Sequence, residues 1–215
     1  MQFIRHPDRE PIMTADTASM PPADRSRYDG MTIALHWLTA LLVVVMFALP
    51  QIWQQLERRT PPRLFLIDLH FSLGITLAGI VLVRILWRAV LGRRLPHAGS
   101  ELARRASRIV HWALYILLPA QLALGFLLRW AQHQPLPYFG LFVIPDPFSI
   151  PLEARTVIGV LHEWNAWVII VLSGAHAIAA LAHHYVLRDG LLHRMMLDQA
   201  TRSVAQSAAD GAPPV

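Results

Sequence analysis

Apolar residues gather in four stretches, each close to or longer than the roughly 20 residues that carry a helix across a bilayer. They run from Met31 to about Ile52, from about Leu64 to Ala89, from about Ile109 to Leu128, and from about Val157 to Val186. The segments between them hold most of the arginines and prolines. This pattern predicts four transmembrane helices, the last long enough to tilt or to project beyond the hydrocarbon. The expected fold class is all-α, an integral membrane four-helix bundle over residues 26–196. Residues 1–25 and 197–215 read as disordered tails. The stretch before Tyr28 lacks an apolar core of the signal-peptide kind, and Met13 and Met20 are alternative starts within it.

Arginine placement orients the bundle. Arg25 and Arg27 precede the first stretch. Arg84, Arg88, Arg93, Arg94, Arg104, Arg105 and Arg108 surround the join between the second and third, and Arg188, Arg194 and Arg202 follow the fourth. The other side carries Arg58, Arg59, Arg63, Arg129 and Arg155. The positive-inside rule therefore expects both termini in the cytoplasm. Residues 129–155 form a long external segment with Pro135, Pro137, Pro145, Pro147 and Pro151. Its apolar piece from Phe139 to Ile144 is expected to lie on, or dip into, the outer interface.

Composition narrows the class further. At 54% hydrophobic and 15% charged over 215 residues, the chain is too apolar for an ordinary soluble domain. The net charge of +5 comes from nineteen basic residues, all arginine, that flank apolar runs instead of forming a stripe on a polar surface. Membrane lipid, not nucleic acid, is the partner this implies. Cysteine is absent, which excludes disulfides, thiolate-bound clusters and the C-x-x-C-H attachment of a c-type haem.

Histidine is where the chemistry gathers. His36, His70, His162 and His176 sit inside the apolar stretches, where an ionisable group is costly and by default functional. His162 and His176 are fourteen residues apart on one helix. At about 100° per residue the spacing brings both to the same face, about 21 Å apart along the axis. That suits one helix giving one axial ligand to each of two stacked haems. Depth supplies the opposing ligands: His36 and His176 lie near the inner face, His70 and His162 near the outer. Without cysteine the haems are held noncovalently, hence b-type, and two imidazoles per iron leave no open position for oxygen.

Other residues remain in competition. His111 begins the third stretch at the depth of His36, and reads as a rival ligand or as a group reaching a propionate or a quinone. His183 and His184 lie near the inner interface, either as a polar helix cap or beside a quinone. Arg84 and Arg88 share a helical face and suit haem propionates, unless they only anchor the span. His6, His97, His133 and His193 look like solvated surface.

The residues that carry a family likeness are Arg27-Tyr28, Leu35-His36-Trp37, Asp68-Leu69-His70 and Val83-Arg84 through Arg88. They continue with His111 through Tyr115 to Pro119 and Gly125, then Tyr138-Phe139-Gly140-Leu141 and Leu161-His162-Glu163. His176 follows, with Leu181-Ala182-His183-His184-Tyr185 and the run from Arg188 to Met196. Across about Arg25 to Met196 the chain resembles the bacterial cytochrome b561 family, the four-helix di-haem proteins of the cytoplasmic membrane. The resemblance implies two b haems with the His36/His176 and His70/His162 pairing. Some members are superoxide oxidases that pass electrons from external superoxide to ubiquinone, and there the residue matching His183 lies near the quinone. The N-terminal extension and the basic stretch from Glu57 to Arg63 depart from the pattern.

The resulting expectation is a multi-pass protein of the bacterial inner membrane. It moves electrons from a periplasmic one-electron donor, superoxide among the candidates, to ubiquinone, with His183 and then His111 as the protonatable groups beside the quinone. Arg58, Arg59 and Arg63 would concentrate an anionic donor, or else touch lipid headgroups. Two rivals are a haem b anchor subunit relaying electrons for a dehydrogenase or hydrogenase, and a haem-free histidine transporter.

Overall fold

The computed structural model describes residues 28–92, 101–147, 150–188 and 192–195. Its elements are α1 (Gly30–Trp53), α2 (Pro61–Val90), α3 (Glu101–Trp130), β1 (Leu136–Tyr138), β2 (Phe142–Ile144) and α4 (Ala154–Ala182). A π-helical turn, His183–Leu187, extends α4, and a short 3-10 helix spans Leu192–Met195. The four long helices are each apolar and long enough to cross a membrane; α4 with its extension reaches 34 residues, Ala154–Leu187. The expected tails, 1–25 and 197–215, lie outside the described residues.

Each helix begins or ends for a local reason. Asp29 caps α1, its carboxylate accepting from the Thr32 backbone N–H at 2.9 Å and the Thr32 hydroxyl at 2.7 Å. The same carboxylate accepts from Trp87 Nε1 at 3.0 Å, which ties the start of α1 to the end of α2. Asp29→Ala should therefore cost about 1 kcal/mol through the cap alone, read as a lower apparent melting temperature in detergent. Pro61 and Pro62 open α2, where a missing N–H costs nothing. Arg63 reaches back, Nη1 donating to the carbonyls of Trp53 and Leu56 at 2.8 Å each, and so closes the end of α1. At the head of α3, the Arg104 guanidinium and then that of Arg105 hold the exposed Glu101 carboxyl below its ordinary range.

The bundle is two helical hairpins. α1 packs along α2 and α3 along α4, while contacts across the seam between the pairs are sparse. The buried apolar centre is small, Leu42 with Leu77 and Val81, backed by Met46, Leu73, Leu118 and Leu122. Large apolar side chains such as Leu41, Phe65, Trp112, Trp164 and Val171 face outward, as a lipid-facing surface requires.

The segment after α3 holds an element that the sequence pattern did not show. It forms an antiparallel hairpin in which Leu136 pairs with Ile144 and Tyr138 with Phe142. Leu141 N–H donates to the Tyr138 carbonyl at 2.8 Å across Phe139 and Gly140, both with positive φ (47° and 72°). Gly140 accepts that conformation freely; Phe139 does not, and is held from outside the hairpin. Its N–H donates at 3.0 Å to the hydroxyl of Ser72 on α2, a side chain only 2% exposed with its residue, which itself donates to the Asp68 carbonyl at 3.0 Å. Ser72→Ala should leave the Phe139 N–H without an acceptor, at about 1–3 kcal/mol. Hydrogen–deuterium exchange should then quicken in residues 136–144 and stay unchanged in α1.

Candidate functional site

The seam between the hairpins is lined by histidines contributed from both sides. His36 of α1 and His176 of α4 face each other with ring centroids 6.5 Å apart and planes at 78°. Nearer the β-hairpin, His70 is carried by α2 and His162 by α4. The ring of His70 meets Trp53 edge-on at 5.2 Å. Both of these rings have a buried Nδ1 that makes no hydrogen bond among the described residues. Gly125 on α3 gives His162 its seat, since a Cβ there would come within 3.2 Å of the ring. Gly125→Ala should accordingly displace the imidazole by a few tenths of an ångström, read as a changed signature of whatever His162 binds.

Arg84 Nη2 lies 3.1 Å from His36 Nδ1, and because guanidinium only donates, that ring nitrogen accepts. The same guanidinium stands 5.7 Å over the Tyr115 ring. Arg88, one turn on, lies over Tyr28 instead, at 5.7 Å. The two arginines thus diverge, with Arg84 against a histidine of the seam and Arg88 over an aromatic ring. His111 joins the same end: its ring is 5.1 Å from that of His176, and its Nδ1–H donates to the Ser107 carbonyl at 2.7 Å. That bond leaves Nε2 of a neutral His111 as an acceptor. His183 opens the π-helical turn, which Arg188 ends with φ at 50°. Turns of this kind recur at functional positions because they re-aim side chains within a helix. Trp37 Nε1 donates to the Met195 carbonyl at 2.9 Å, fastening α1 to the chain beyond that turn.

At the hairpin end, Arg63 is engaged in closing α1 and so differs from Arg58, which is exposed. Arg129 lies 4.3 Å over Phe71, with Nε donating to the Pro135 carbonyl at 3.0 Å and Nη1 to Gln134. Two side chains that sequence reasoning passed over are Gln121 and Asn165. Gln121 Nε2 is 3.2 Å from His162 Nε2, and Asn165 donates to Gln121 Oε1 at 2.8 Å. Their signal was present as amides inside apolar spans, with Asn165 three residues past His162 on the same helical face.

The donor set fits a flat iron macrocycle. Two metal–nitrogen bonds of about 2 Å, with the depth of two imidazole rings added, span about 6 Å between centroids; His36 and His176 stand at 6.5 Å. The imidazoles come in pairs from opposite hairpins, and among the described residues no three His, Asp or Glu side chains gather into a cage for a bare ion. Pairs suit a ligand that brings four nitrogens of its own.

Four helices long and apolar enough to cross a membrane, with His36 facing His176 between the two hairpins, fit a membrane cytochrome of the b type. The family profile for prokaryotic cytochrome b561 matches residues 27–197, and the chain belongs to that family of membrane electron-transfer proteins. Among its relatives, cytochrome b561 homolog 2 of Escherichia coli K12 is 36% identical over 177 residues, covering 79% of this chain and 91% of that protein. A Yersinia pestis protein named probable superoxide oxidase CybB is 29% identical over 175 residues, covering 79% and 96%. Cytochrome b562 of Cereibacter sphaeroides is 28% identical over 173 residues, covering 79% and 94%. The protein is a multi-pass haem b cytochrome.

Proposed function

We propose that this cytochrome holds two b haems, one above the other, and carries electrons from a periplasmic one-electron donor to ubiquinone. The supporting observation is the histidine arrangement: across the seam His176 of α4 faces His36 of α1 with ring centroids 6.5 Å apart, and the same helix carries His162 towards the end where α2 carries His70. When bound, the haems supply reversible one-electron chemistry at iron. The chain supplies everything else. His36 with His176, and His70 with His162, would each hold one haem, which would supply electron transfer and not oxygen binding. The lipid-facing helices and the β-hairpin keep bulk water from the seam.

The arginine distribution supports a periplasmic hairpin end and a cytoplasmic His36 end. At the inner end, Arg84 donates to His36 Nδ1, and a propionate carboxylate is the anion suited to draw it away. His183, at the re-aimed end of α4, and His111 are the groups to hold protons for the quinone. With superoxide as donor the balance is two superoxide, one ubiquinone and two protons giving two dioxygen and one ubiquinol.

The test is direct. Purified protein should show a b-type reduced-minus-oxidised spectrum with two haems per chain, and superoxide pulses should reduce them only if that donor is right. Reduction no faster than in His70→Ala would remove superoxide from the scheme and leave relay for a partner enzyme. A protein without the α-band would end the haem reading altogether.

A further inference from the structure

The β-hairpin is pinned beside α2, and the heights of its anchors along that helix fix how deep it lies. Phe139 N–H donates to the Ser72 hydroxyl at 3.0 Å, and the Tyr138 hydroxyl lies 3.4 Å from Thr76 Oγ1, one turn farther along α2. Between Asp68 and Arg84, α2 carries no Asp, Glu, Lys or Arg. That interval rises about 24 Å, less than the roughly 30 Å thickness of the hydrocarbon layer. Asp68 therefore stands at the boundary, and Ser72, one turn inside it, lies within the apolar layer. The hairpin runs alongside the spanning part of α2, not above it.

Its chemistry suits that depth. Phe139, Leu141, Phe142 and Val143 are each more than half exposed, whereas Leu136, on the strand packed against α2, is buried. Four large apolar side chains on one short hairpin would be a costly surface in water. Backbone polar groups, which lipid cannot satisfy, are few or already used. Pro135, Pro137, Pro145 and Pro147 have no N–H to satisfy. The strands pair with each other, and the N–H groups of Phe139 and Leu141 go to Ser72 and to the Tyr138 carbonyl. Arg129, in the last turn of α3, donates to the Pro135 carbonyl.

We propose that residues 136–144 are a membrane-inserted hairpin, with Phe139, Leu141, Phe142 and Val143 against phospholipid acyl chains in the leaflet at that end. The sequence alone leaves two placements open, on the interface or dipping into it, and the anchor at Ser72 favours the second. Interfacial elements bury an apolar face about 5–10 Å into the boundary, and one helical turn past Asp68 falls in that range. At that height the outward face can meet only lipid or another protein within the membrane.

The chain has no cysteine, so single substitutions carry a nitroxide label to chosen sites of the full-length protein in phosphatidylethanolamine–phosphatidylglycerol vesicles. Collision with oxygen, which concentrates in hydrocarbon, is compared with collision with a hydrated nickel chelate, which is excluded from it. Arg58→Cys, in an exposed turn, and Val171→Cys, on the outward face of α4, give the two reference values. At Leu141→Cys the oxygen-to-nickel ratio should exceed that at Arg58→Cys about tenfold and approach that at Val171→Cys, because an apolar environment favours one collider and rejects the other. A ratio equal to that at Arg58→Cys would place the hairpin in water and overturn the proposal. Shielding from both colliders would overturn it too, by placing a second copy or another protein there. Ser72→Ala, built into the Leu141→Cys chain, should lower the ratio severalfold. An unchanged ratio would overturn the part assigned to Ser72.

Discussion

A His176→Ala variant should carry one haem per chain instead of two, with the remaining spectral component being that of the hairpin end. His162→Ala should do the converse. On the proposed pairing the effect is all-or-none, because two imidazoles would be the whole protein contribution to each iron and losing one would leave a buried porphyrin held from a single side. The opposing ligand at the His176 end is decided by a comparison of His36→Ala with His111→Ala. The ring of His36 stands 6.5 Å from that of His176, the separation that two metal–nitrogen bonds fill. His111 stands closer, at 5.1 Å, with its other nitrogen tied to Ser107. Pyridine haemochrome content should therefore halve in His36→Ala and stay at two in His111→Ala. The opposite result would transfer the ligand role to α3.

Arg84→Gln should lower the midpoint potential of the haem at the His36 end by about 60 mV, a tenfold change in its one-electron equilibrium. The guanidinium lies 3.1 Å from His36. A fixed cation beside an iron site opposes the extra positive charge of the ferric form, so its removal favours oxidation. Arg84→Lys keeps the charge and should recover most of the shift, whereas Arg88→Gln should do little, because Arg88 lies over Tyr28. Potentiometric titration with the two haems resolved spectrally measures all three.

The helical architecture could be read from the chain because the bilayer imposes so strict a rule. Every apolar run near 20 residues had to become a helix, and Met31–Ile52 and Leu64–Ala89 lie inside α1 and α2. The start of α3 was placed too late, at Ile109, because Glu101 to Arg108 is charged yet still helical in the aqueous flank. The hairpin at 136–144 was missed for a different reason. Its three-residue strands give too short a pattern to detect, and what stabilises the turn is Ser72, more than sixty residues away. At the site, the histidines showed through because imidazole is conspicuous in an apolar span. Their neighbours did not: that Arg84 would meet His36 while Arg88 turned to Tyr28 depends on side-chain reach, not on spacing. The amides Gln121 and Asn165 were hidden by being short, uncharged and on different helices.

The sparse contact between the two helical hairpins has a consequence for the life of the chain in the cell. On the proposed ligand pairing, porphyrins clamped between α4 and the α1–α2 pair would act as keystones, because anything that binds only the assembled form stabilises it by mass action. Polypeptide inserted while porphyrin is scarce consists of two helical pairs with little to join them, a fit substrate for membrane proteases. The amount of this protein in a bacterium should then follow haem synthesis, even at constant transcription and translation.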